Sequence, residues 1–156
     1  MSYQLQALIG QLELITVVAA EVPAARPAPL GQGLALIPAT NEFLDAVSLG
    51  YDEERHGFWW FPGGFERRLA AWSKAGPIAC VEADYFGGHG SQYAAVWADG
   101  LLTLGPLETV LHEPFPPQGS PISQALRRLG AQAHGHCDEF DSVGLLRQRR
   151  TEDWAG

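Results

Sequence analysis

The stretch "PIACVEADYFGGHGSQYAAVWADGLLTLG", residues 77–105, decides how this chain is read. Its apolar and aromatic residues gather into short runs, "PIACVEADYF", "SQYAAVW" and "LLTLG", each of strand length and each bounded by a turn signal. Asp99-Gly100 stands between apolar flanks and is the dipeptide favoured by a two-residue hairpin. The pattern predicts a three-stranded antiparallel meander over 77–105, and a helix anywhere in 91–98 would contradict it. Between the first two runs lies Gly87-Gly88-His89-Gly90-Ser91-Gln92, which reads either as a site or as a strand connection.

Outward from this meander the signals are mixed. "YQLQALI" alternates Tyr3, Leu5, Ala7 and Ile9 against Gln4 and Gln6, a period of two that suggests an edge strand. "QLELITVVAAEV" is ambiguous, since Ile, Thr and Val favour strand while its length and its terminal "AAE" favour helix. Residues 23–33, with three prolines, read as an extended surface loop. "LALIPA" is a short buried strand. "TNEFLDAVS" starts a helix with Thr40 as N-cap and acids in its early turns. "FERRLAAWSKAG" puts Phe65, Leu69 and Trp72 at helical spacing, with Gly76 as a stop. "SPISQALRRLG" is a further helix, with Ser120 at the N-cap, Pro121 at its first position and Gly130 at its end. "DEFDSVGLL" supplies another helical turn. These elements predict an α+β fold, a single domain over residues 1–156, in which an antiparallel sheet packs against three or four helices.

With 156 residues, 46% of them hydrophobic and 18% charged, the chain can bury a core. Its net charge of −8 is uneven: residues 1–118 carry 13 acids against 5 bases, and residues 119–156 carry 5 of each. That sign repels phosphate backbones, so nucleic acid is not expected as a partner, whereas a basic protein would be steered in. Cys80 and Cys137 make no disulfide framework, and Cys80 reads as a small buried hydrophobe. The N-terminal stretch lacks a basic n-region and a long apolar run. It is expected to be neither a signal peptide nor a membrane span, which points to a cytoplasmic protein.

Four segments compete as sites. The glycine-rich gap holds His89 and Ser91, but a phosphate cradle needs a helix after it, and a nucleophile elbow needs G-x-S-x-G before one. Here a strand-like run follows, so a connection with positive-φ glycines is the better reading, with His89 kept as a binding candidate. "HGHCDE" offers His134, His136 and Cys137, yet no second pair of ligands closes a four-ligand zinc site, so no metal or cofactor is expected. "YDEERHGFWWF" joins Asp52, Glu53 and Glu54 to Trp59 and Trp60. Neighbouring residues of a strand face opposite ways, so one tryptophan of the pair is a candidate exposed anchor rimmed by acids. The arginines of "RRLG" and "RQRR" are balanced by nearby acids and read as ion-pairing residues.

"ACVEADYFGGHGSQYAAVW", "SPISQALRRLG" and "DEFDSVGLLRQRRTEDW" resemble segments of small bacterial proteins without an assigned activity, and the resemblance carries no catalytic residue. In size, acidity and α+β make-up the chain is similar to immunity proteins of bacterial polymorphic toxin systems. That similarity implies a non-enzymatic binding protein that masks a basic toxin domain, with Asp52, Glu53 and Glu54 for steering and Trp59 or Trp60 and His89 as anchors. The alternative is a small hydrolase or transferase using His89, Ser91 and an acid such as Asp84 or Glu82.

Overall fold

In the computed structural model, which describes residues 2–48, 64–86, 89–109 and 114–156, the meander forms as its turn chemistry dictates. Strands β4 (Ile78–Phe86), β5 (His89–Ala98) and β6 (Leu101–Glu108) are consecutive and antiparallel. Ala98 pairs with Leu101 across Asp99-Gly100, whose φ values of 53° and 81° are the positive pair that a type I′ turn demands. On the other side β4 pairs with β1 (Ser2–Gln11), β1 with β3 (Leu34–Pro38), and β3 with the two-residue β2 (Ala28–Pro29). The order is β2-β3-β1-β4-β5-β6, so β1 is an interior strand and not the edge strand its alternation suggested. The reason lies in its second half, where Ala7, Leu8, Ile9 and Gly10 are all buried and both faces need cover.

Two layers of helices supply that cover. Helices α1 (Leu12–Glu21), α2 (Asn41–Val47) and α3 (Phe65–Ser73) pack on the face carrying Leu8, Ala35, Ile37, Cys80, Ala95 and Trp97. The ambiguous segment is therefore helical: Leu14, Ile15 and Val18 are buried on one side, and Thr16 returns its hydroxyl to the Leu12 carbonyl at 2.8 Å. Thr40 Oγ1 accepts from the Phe43 amide at 3.2 Å, the expected cap. Trp72 Nε1 donates to the Glu21 carboxylate at 2.6 Å and fastens α3 to α1.

The opposite face, bearing Leu5, Ala7, Ile9, Val81, Ala83 and Val96, is covered by α4 (Pro121–Arg128), α5 (Glu139–Ser142) and 3₁₀ turns at Leu145–Arg147 and Thr151–Ala155. Ser120 caps α4 through the Ser123 amide at 3.2 Å, and Asp138 caps α5 through the Asp141 amide at 2.9 Å. Arg127 reaches Glu139 at 3.0 Å, an ion pair of the kind the balanced charges implied. Among the described residues no helix is long and apolar enough to cross a membrane.

Candidate functional site

Register decides which side chains share a surface. Cα partners run Gln6, Glu82, Tyr93, Glu108 across β1, β4, β5 and β6, and Gln4, Asp84, Ser91 in the next row. By the two-residue period these rows lie on the same face as Cys80, Ala95 and Trp97, beyond the apolar patch that α1, α2 and α3 pack on. Gln4, Gln6, Glu82 and Asp84 line a depression of about 360 Å³ there. The six strands carry three carboxylates, Glu82, Asp84 and Glu108, and neither Lys nor Arg. All three acids point to this one face. Glu82 is buried, whereas Asp84 and Glu108 are exposed.

Tyr93 senses this arrangement. Its phenol is raised above the ordinary value, first by its hydrogen bond to Glu108, then by desolvation and by the charges of Glu108 and Glu82. The surface can thus offer carboxylates and a neutral phenol to a donor-rich or cationic partner.

The glycine-rich gap is shorter than its sequence suggests. Phe86 pairs with His89, so His89, Gly90 and Ser91 belong to β5 and only Gly87-Gly88 separates the strands. His89 is therefore the first residue of a strand, not the tip of a loop. Alternation divides the segment: Ser91 falls on the acidic face, and Gln92 falls on the other, while the His89 side chain lies outside what is described. A side chain at Gly90 would overlap the Asp84 carbonyl, so glycine there permits the close approach of the strands. Gln92 is buried and its Oε1 accepts from the Ile122 amide at 3.0 Å, meeting one of the free donors at the start of α4.

Ser91 and Asp84 face each other across the ladder, the pairing a hydrolase would need. Among the described residues, however, no side-chain hydrogen bond joins Ser91 to Asp84 or to any other group. Asp52, Glu53, Glu54, Trp59 and Trp60 lie outside the described residues. His134, His136 and Cys137 are exposed between α4 and α5, where His136 Nδ1 lies 3.1 Å from the Asp141 carboxylate. Among the described residues no three His, Cys, Asp or Glu side chains converge as metal ligands.

One surface was not legible in advance. Leu107, Phe115, Pro116, Pro121 and Gln124 line a groove of about 310 Å³ between β6 and α4. The signal was present in "EPFPPQGSP", a proline-rich run with an aromatic residue, but its nearness to β6 is a tertiary fact.

On the opposite side of β1, Tyr3 is buried against Phe140, with ring centroids 5.6 Å apart, and donates its hydroxyl to the Leu145 carbonyl at 2.9 Å. Burial pushes its phenol far above the ordinary value. The folded pKa thus exceeds the unfolded one, so its contribution to stability is full below about pH 10 and is lost as pH rises from there towards the folded value. Tyr85, raised chiefly by desolvation, acts in the same direction. Burial raises the Cys80 thiol too, so the melting temperature should hold up to about pH 8, begin to fall as that thiol ionises in the unfolded chain, and fall more steeply above about pH 10. Tyr3→Phe should fall less steeply in that range, and equal slopes for the two proteins would contradict the assignment.

Comparison of the chain with models of protein families, with curated proteins and with solved structures found no match.

Proposed function

We propose that the chain is a non-enzymatic protein-binding protein whose acidic sheet face receives a basic partner, in the manner of an immunity protein masking a toxin domain. One observation carries this reading: every charged residue of the sheet is an acid, and all three lie on one face. A net charge of −8, concentrated in residues 1–118, supports it, as does the acidic run Asp52, Glu53 and Glu54 followed by Trp59 and Trp60. Carboxylates gathered on one surface raise the encounter rate of a cationic protein and repel acidic ones. The absence of a side-chain hydrogen bond between Ser91 and Asp84 gives the hydrolase reading no support.

The test is association kinetics with a partner obtained by cross-linking in the source cell. Asp84→Asn combined with Glu108→Gln should slow association about tenfold at low salt and flatten its dependence on ionic strength. Stability should stay within about 0.5 kcal/mol, because both positions are exposed. Adding alanine at Asp52, Glu53 and Glu54 should deepen the effect. A partner whose association rate and salt dependence are unchanged in these variants refutes the proposal.

A further inference from the structure

We infer that the groove between β6 and α4 is a docking site for an extended segment of a partner protein, carrying an apolar side chain and, a few residues away, a carboxylate. Strand β6 is the last in the sheet, so its outer edge is unpaired by any described strand. Beside that edge runs the groove, where Leu107, Phe115 and Pro121 form an apolar wall and Glu108 adds a carboxylate, so an acidic side chain of the occupant belongs at the far end. Past Gln124 it continues into a second depression of about 210 Å³ beside Leu104 and Arg128. A free strand edge next to a side-chain groove is the arrangement that captures extended peptides: the backbone lies along the edge and alternate side chains drop into the groove.

Charge selects the occupant. Arg127 is committed to Glu139 and to the Gln118 carbonyl, but the Arg128 guanidinium is exposed and has no ion-pair or hydrogen-bond partner among the described residues. An acidic side chain is its natural complement. From Pro121 to Arg128 is seven residues of helix, about 10 Å at about 1.5 Å each. An extended chain advances about 3.3 Å per residue and returns to the same face every second one. The carboxylate should therefore lie two to four residues from the apolar anchor. Pro106 has no N–H to give, and Gly105 sits at a positive φ of 84°, so the ladder is interrupted and groove side chains set the register. The chain's net charge of −8 disfavours a second copy as the occupant.

The experiment is selection of a phage-displayed random hexapeptide library on the full chain, on Phe115→Ser and on Arg128→Glu. Phe115 is half exposed and Arg128 exposed, so both variants keep the core, which circular dichroism checks. Wild-type selections should converge on an apolar residue two to four positions from Asp or Glu. With Arg128→Glu the acid should give way to Lys or Arg, and Phe115→Ser should weaken the selected peptides by about tenfold or more, as loss of an interface anchor does. Selections without a shared pattern, or an acid preference that survives Arg128→Glu, overturn the inference. So does a dimer in sedimentation that Phe115→Ser dissolves, since the occupant would then be a second copy. Glu108 borders this groove as well, so the acidic face is represented here by Asp84→Asn alone, which should leave the selected peptides bound. With Phe115 and Arg128 changed in this test, failure of one proposal is distinguishable from failure of the other.

Discussion

Trp97→Ala should cost about 3–5 kcal/mol, enough to remove a large part of the folding free energy of a domain this size. Trp97 is 1% exposed and sits on β5, inside the sheet, pointing into the layer formed with α1, α2 and α3. Its cross-strand neighbours are Ile78 and Leu102, and the backbone on both sides is tied into ladders. The strands therefore cannot close in on the space an indole leaves, and the cost combines lost transfer energy with that of an unfilled cavity. At roughly 2–4 °C per kcal/mol for a chain of this length, the melting temperature should fall by about 10 °C. Denaturant titration of wild type and variant checks it. A loss below about 1 kcal/mol would mean that the helical layer is not anchored on this side chain. Cys80→Ala, on the same face and fully buried, removes far less volume and should cost much less.

The parts of the fold readable from sequence are those where local and tertiary preferences agree. At Asp99-Gly100 the turn residues, the alternation of the flanks and the observed φ values coincide. Thr40 and Ser120 cap the helices they precede as their sequence positions imply, because a side-chain oxygen is a ready partner for a helix's free amides, and Asp138 does the same for α5 although its sequence was read only as a helical turn. Residues 12–21 were unreadable because Ile15, Thr16, Val17 and Val18 lean towards strand. Burial of Leu14, Ile15 and Val18 against β1 and β3 overrides that lean. The place of β1 in the sheet was misread for a different reason. Gln4 and Gln6 look like the wet side of an edge strand, yet they mark the polar end of a face whose other end is apolar. The acidic face was legible in its residues but not in its composition. Glu82, Asp84 and Glu108 share a surface only through the register of three strands, and register is a product of the whole sheet.

The second large effect is expected at Gly105. Its φ of 84° lies in the region that favours glycine, and any other residue there is strained by about 1–2 kcal/mol. A Cβ would also stand 2.6 Å from the Ala94 carbonyl oxygen and 2.7 Å from the Leu107 amide nitrogen. Both are backbone atoms, which cannot rotate away as a side chain would. Overpacking of this kind adds about 1–3 kcal/mol, so Gly105→Ala should destabilise by roughly 2–5 kcal/mol. How the loss appears depends on where Gly105 sits. The pairing of β5 with β6 changes register between Ala94 and Val96, opposite this glycine, and β6 has no described strand beyond it to hold it in place. The strand should therefore relieve the overlap by peeling from β5 over residues 104–108, while the ladder between β4 and β5 persists. Hydrogen exchange separates this from global unfolding: amides of β6 beyond Leu104 should lose protection in Gly105→Ala, and those of β1 and β4 should keep theirs. Because Leu107 forms one wall of the groove against α4, the same variant should lose the peptides selected on the wild-type chain while Asp84 stays on its intact strand. Uniform loss of protection across all strands would show that β6 is bound into the cooperative unit of the sheet and does not yield locally.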